Sequence, residues 1–182
     1  MSARSLPPPE PGLAVLAISG WSGSGKTTLV AALIPLFKAR GLSVSSIKHA
    51  HHGVTLDQPG KDSFVHAEAG AREVILTTDS GFALFSRRPA PLEALLARLS
   101  PVDLVLVEGF KSEPLPRLAV HRPSLGKAPP WPDAHLLAVA ADAALPDCPV
   151  PVLPLDDPPA IMDFLIRAVG LNDPGLNDPG NR

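Results

Sequence analysis

A glycine-rich octet, Gly20-Trp21-Ser22-Gly23-Ser24-Gly25-Lys26-Thr27, stands between an apolar run from Leu13 to Ile18 and an apolar-periodic segment from Leu29 to Phe37. Strand, glycine-rich turn and helix is the context that a phosphate-binding loop requires. Gly20, Gly23 and Gly25 allow backbone torsions closed to other residues, so successive N–H groups can curl round an anion at the positive end of the helix. Lys26 then reaches the outer phosphates, and Thr27 offers a hydroxyl to a magnesium ion bridging them. Ser22, Ser24 and Thr28 complete the expected nucleotide-binding set.

The rest of the chain must supply a sheet and its covering helices. At 182 residues it suits one domain with a sizeable core, and its 23 prolines must mostly mark loops and element starts. The helix from Thr27 to Arg40 presents Leu29, Leu33, Leu36 and Phe37 on one face, with Pro35 expected to kink it and Gly41 to stop it. Strands are expected at Leu42–Ile47, Leu104–Val107, Leu118–Val120 and Leu136–Ala140, and a last helix at Ile161–Val169. Glu73–Thr77 and Gly81–Phe85, joined by Asp79-Ser80, read as an antiparallel hairpin, which an otherwise parallel sheet can carry at its edge. Helices are also expected at Phe64–Ala69 and Leu92–Leu99. Residues 1–12, rich in proline, read as a disordered leader. The repeated Leu-Asn-Asp-Pro-Gly of 171–182 reads as a disordered tail, which leaves 13–170 as the nucleotide-binding domain.

Three further stretches carry chemistry. Leu104–Val107 is an unbroken apolar run that ends on Glu108, as in a strand covered on both faces with a carboxylate at its carboxyl end. There Glu108 can hold magnesium opposite Thr27, and Lys111 follows as a companion. Lys48-His49-Ala50-His51-His52 follows a strand beside the phosphate loop. The histidines admit a transition metal, a solvated loop without a role, or contact with an anionic ligand, and Lys48 is the best single candidate for the last. Asp62 reads either as a helix cap or, with Asp57 as the alternative, as a magnesium or water-positioning ligand. Arg87 and Arg88 follow the hairpin as surface residues or anion contacts. Trp131 reads as a tether or a stacking surface, and Asp142 closes the strand from Leu136, where some nucleotide proteins read a base.

A net charge of −2 and a pI near 6.3 argue against broad capture of nucleic acid or anionic membrane. One cysteine, Cys148, cannot form an internal disulfide, the N-terminus lacks a signal peptide's apolar core, and no apolar run is long enough to span a membrane, so a cytoplasmic protein is expected.

The phosphate loop, Lys48-His49-Ala50-His51-His52, Gly60-Lys61-Asp62-Ser63, Ala69-Gly70-Ala71 and Val107-Glu108-Gly109-Phe110-Lys111, in this order, resemble the molybdopterin-guanine dinucleotide biosynthesis protein B family. The resemblance spans about residues 13–170 and implies an α/β P-loop NTPase fold with a mostly parallel sheet. It implies a GTP-binding accessory protein, usually a homodimer, that works beside the guanylyltransferase joining GMP to molybdopterin. By the same resemblance Gly23, Gly25, Lys26, Thr27 and Thr28 hold the phosphates, and Thr27, Asp62 and Glu108 surround magnesium. Lys26, Asp62 and Glu108 are then the groups at the phosphates in a weak GTPase, Lys48 with His49, His51 and His52 lines the shared cleft, and molybdopterin is a further ligand that the resemblance suggests. Two rival readings remain open: an ATP-dependent enzyme resembling dethiobiotin synthetase, and a nickel-delivering metallochaperone GTPase.

Overall fold

The computed structural model describes residues 13–50 and 57–172. The expected leader, nearly all of the expected tail, and His51 and His52 lie outside the described residues. The elements run β1 (Ala14–Gly20), α1 (Lys26–Ala39), β2 (Val44–Lys48), α2 (Asp62–Glu68), β3 (Glu73–Thr78), β4 (Gly81–Ser86), α3 (Leu92–Leu96), β5 (Leu104–Glu108), β6 (Arg117–His121), β7 (Leu136–Ala141), β8 (Val152–Pro154) and α4 (Pro158–Val169). They divide into two compact units: residues up to His49 with those from Arg98 onward, and Ala50–Ala97.

The first unit is a six-stranded sheet in the order β2-β5-β1-β6-β7-β8. Every pairing in it is parallel, so all the carboxyl ends lie along one edge. The apolar run of β5 is buried from Leu104 to Val107, as a strand covered on both faces must be. Leu29, Leu33 and Phe37 recur one turn apart and form the buried stripe of α1. They share a core with Leu16 and Ile18 of β1 and with Ile161, Met162, Leu165 and Ile166 of α4. Fully burying one such side chain contributes about 1.5–3 kcal/mol, so this stripe is what fixes α1 against the sheet.

Helix ends follow local chemistry. Asp157 caps α4 by accepting from the Ala160 N–H at 3.0 Å, with Pro158 in the first turn and Gly170 in the left-handed region after the last. α1 runs unbroken through Pro35, and the Gly41 N–H bonds the Lys38 carbonyl at 3.0 Å. Trp131 packs on Ala119, Leu136 and Val139 and meets His121 edge-on, a tether and not a free stacking surface. β8 was not expected from sequence.

In the second unit β3 and β4 form a separate two-stranded antiparallel sheet, turned at Asp79-Ser80. The expected hairpin is therefore present, hydrogen-bonded to itself. Val74 is buried, whereas Ile75, Phe82 and Leu84, which share the opposite face, are exposed, Phe82 by 77 %. Arg87 pairs with Glu68 and lies over the Phe64 ring.

Candidate functional site

Because the sheet is parallel, the ends of β1, β2, β5 and β6 arrive together, and the residues that follow them build the site. The phosphate loop leaves β1 at Gly20, φ 140°, where an added Cβ would stand 2.3 Å from the Val120 carbonyl oxygen and 2.9 Å from the Ser24 hydroxyl. Only glycine fits there. Gly25, φ 99°, is the N-cap residue of α1, so the helix amides open directly onto the loop. Ser24 is buried and its N–H turns inward to the Trp21 carbonyl at 3.2 Å, whereas Ser22, Thr27 and Thr28 are exposed.

Lys26 spans the loop, its ammonium donating to the Trp21 carbonyl at 2.7 Å. Burial holds its pKa below the ordinary lysine value; the Glu108 carboxylate opposes that shift, and the ammoniums of Lys111 and Lys48 add to it. Three lysines thus crowd one loop with a single carboxylate among them, an arrangement that an incoming polyanion relieves. The cluster continues to Trp21, with the Lys111 ammonium 5.1 Å and the Lys127 ammonium 5.9 Å from its ring centre. The Trp21 indole N–H donates to the Ala128 carbonyl at 2.9 Å, tying the segment after β6 to the loop.

The register brings the second set of groups into line. Glu108 pairs with Ile18 on one side and with Lys48 on the other. The Lys48 ammonium donates to the Thr27 hydroxyl at 3.1 Å and lies 3.4 Å from Glu108 Oε1. The Thr27 hydroxyl donates to Glu108 Oε1 and Oε2 at 3.0 and 3.1 Å. A hydroxyl and a carboxylate are the hard oxygen donors that magnesium takes, and here the Lys48 ammonium lies beside both. Beyond Glu108, Gly109 adopts φ 101°, and a Cβ there would stand 2.7 Å from that of His49. His49 packs on Phe110, ring centres 4.9 Å apart, and its N–H bonds the Glu108 carbonyl at 2.8 Å.

Lys26, Thr27, Lys48, Glu108 and Lys111 therefore converge, and His49 lies beside them. Asp62 belongs to the second unit as the first residue of α2. The N-cap position is Lys61, and no side chain caps that helix, so the cap role expected for Asp62 is corrected. Asp57 instead accepts from the Gln58 N–H and the Ser63 hydroxyl at 2.8 and 3.0 Å. Among the described residues no three His, Cys, Asp or Glu side chains come together to hold a metal.

Arg122 was not among the site residues expected from sequence. It follows β6, its Nε donates to the Ser24 carbonyl at 3.0 Å, and its Nη1 meets Asp142 Oδ2 at 2.6 Å. The signal was present only in strand order: β6 lies beside β1, so whatever follows it falls next to the phosphate loop. Arg117 has a structural place, buried and bonded to the carbonyls of Lys111 and Glu113.

Known proteins resemble this chain over most of its length. Residues 15–142 match the family model described as molybdopterin guanine dinucleotide synthesis protein B. The molybdopterin-guanine dinucleotide biosynthesis adapter protein of Haemophilus influenzae is 43% identical over 155 residues, 83% of this chain and 86% of that one. The Escherichia coli protein of the same name is 38% identical over 161 residues, 84% of this chain and 91% of its own. Among solved structures, the MobB homologue from Bacillus stearothermophilus aligns with a TM-score of 0.63 and 28% identity over 86% of this chain and 97% of that one. Bacillus subtilis MobB, at 24% identity, aligns with a TM-score of 0.70 over 86% and 98%, which speaks for the fold. With the phosphate loop, the Glu108 strand end and matches of this extent, the chain belongs to the molybdopterin guanine dinucleotide synthesis protein B family.

Proposed function

We propose that the protein binds GTP with magnesium at its phosphate loop and acts as an adapter in molybdopterin guanine dinucleotide biosynthesis. Its partner in this reading is the guanylyltransferase that joins GMP to molybdopterin. The observation that carries the reading is the convergence of Lys26, Lys48, Thr27 and Glu108 where the helix amides of α1 open. Thr27 and Glu108 would hold magnesium, which would neutralise phosphate charge. Lys26 would move from the Trp21 carbonyl to the phosphates, Lys48 and Lys111 would offer charge to an anionic neighbour such as molybdopterin, and His49 would line the same place. The family resemblance adds Asp62 as a third oxygen ligand. The guanine preference rests on the family and not on a base-reading motif, since Asn-Lys-x-Asp is absent from the chain.

A second copy of this chain is the proposed occupant of the exposed Ile75, Phe82 and Leu84 face, and the cytoplasm is the proposed compartment. No helix among the described residues is long and apolar enough to cross a membrane. The deciding experiment is a competition titration of GTP against ATP with magnesium, paired with guanylyltransferase turnover in the presence and absence of the protein. Preference for GTP together with faster turnover is expected. Equal affinities and unchanged turnover would remove the reading.

A further inference from the structure

We infer that Arg122 is a positioning residue for phosphate binding: it holds the Ser24–Gly25 peptide so that the Gly25 N–H faces a bound phosphate, and Asp142 aims it. This rests on the nucleotide reading above and adds residues from two strands that carry no recognised phosphate motif. In a trans peptide the carbonyl and the following N–H point in opposite directions. Arg122 Nε holds the Ser24 carbonyl at 3.0 Å, which turns the Gly25 N–H away from β6. That N–H opens the run of amides at the start of α1.

Of the two torsions that turn this peptide, one belongs to Gly25, which occupies a left-handed conformation and lacks a Cβ that would limit it. Arg122 supplies the restraint. Its guanidinium packs alongside Gly25, with Nη2 3.6 Å from where a Cβ would stand. The bond is charge-assisted, so it also polarises the peptide and makes its N–H a stronger donor. Asp142, directly after β7, fixes the other side of the same guanidinium through Nη1 at 2.6 Å. A planar fork with donors at fixed angles suits this double duty, and a lysine ammonium does not. The register that pairs Gly20 with Val120 places Arg122 level with the loop, and β7 beside β6 places Asp142 within its reach.

The test uses the full chain and inorganic pyrophosphate, which has no base or sugar to complicate the answer. Arg122→Ala is expected to weaken pyrophosphate and GTP alike by about tenfold, the scale of one well-made hydrogen bond. Arg122→Lys should fail to restore binding, and Asp142→Asn should give a smaller loss in the same direction. In the free protein the Gly25 amide resonance should move in Arg122→Ala while that of Gly23 stays in place, a signature that a general loss of stability would not give. Unchanged pyrophosphate affinity in a folded Arg122→Ala overturns the proposal. Loss of GTP with pyrophosphate retained also overturns it, and assigns the pair to the base or sugar. A wild-type protein that binds neither ligand overturns the nucleotide reading itself. If Arg122→Ala does not fold, Asp142→Asn with the Gly25 resonance decides in its place.

Discussion

Lys26 carries a cost that the phosphate loop imposes before any ligand arrives. Its ammonium is partly desolvated and has like charges nearby, so its pKa lies below the ordinary 10.5. Binding a triphosphate should reverse that shift. As pH rises toward the ordinary lysine range, the free protein deprotonates first and binding must then take up a proton. Calorimetry in two buffers of different ionisation enthalpy should detect this uptake, and it should vanish in Lys26→Ala. The same substitution removes a charge-assisted bond contributing about 1.5–3 kcal/mol, so triphosphate affinity should fall roughly 10- to 150-fold in a folded variant. Glu108→Gln keeps the shape and the Thr27 contact but removes the charge. Its binding should weaken with magnesium and change little without it; wild-type magnesium dependence would make Glu108 a plain strand end. Asp62→Asn, titrated in the same way, tests the third carboxylate. Lys26, Thr27 and Glu108 were legible in sequence because each is set by local spacing from a strand or a helix start. Arg122 was not, since no local pattern states which strand lies beside β1.

Between elements, the pin that matters most for the site is Ser43 with Asp103. The Ser43 N–H and hydroxyl donate to Asp103 Oδ2 at 2.7 and 2.5 Å, and the Asp103 N–H donates back to the Ser43 hydroxyl at 3.0 Å. This reciprocal pair stands one residue before Val44 and Leu104, where β2 and β5 begin to match, and so helps set Lys48 against Glu108. A slip of one residue would turn Lys48 to the other face of the sheet. The hydrogen bonds from Ser43 hold the Asp103 carboxyl below its ordinary range. A depressed carboxylate contributes stability that is complete above its unfolded value, about 3.9, and is lost as pH falls through the native one. Asp103→Asn should therefore be less stable than wild type near neutrality, with the gap closing in acid; parallel melting curves at every pH would show that the pin is idle. The elements themselves were legible where periodicity is long, as in α1, or where an apolar run ends on a charge, as in β5. β8 was hidden because Pro151 precedes and Pro154 ends a strand only three residues long, and it is tolerated because it lies at the sheet edge. The start of α2 was misjudged because Asp62 has the chemistry of a cap but stands inside the first turn.

At the scale of the molecule, two predictions concern company. Phe82→Asp should leave the fold intact and convert a dimer to a monomer in light scattering, since it places a charge on the exposed apolar face of the hairpin; a wild-type monomer would dismiss that face as the contact. Hydrolysis by the protein alone should be slow, below about 1 s⁻¹ in single turnover, which is the low end for dedicated enzymes. The residues after Glu108, Gly109-Phe110-Lys111-Ser112, include no glutamine to position water, and the arginine nearest the loop is already bonded to Ser24 and Asp142. A faster rate would favour a self-sufficient enzyme. The parallel sheet also sets a timetable for synthesis. β1 is flanked by β5 and β6, and its first paired residue, Ala14, meets Leu104. At about 5–20 residues per second a ribosome needs roughly 5–18 s to travel that far, and until then the nascent phosphate loop has no neighbouring strand. The segment Ala50–Ala97 is synthesised within that interval, so the smaller unit is complete before the larger one can close, and a chain stalled ahead of β5 carries a nucleotide signature without a nucleotide site.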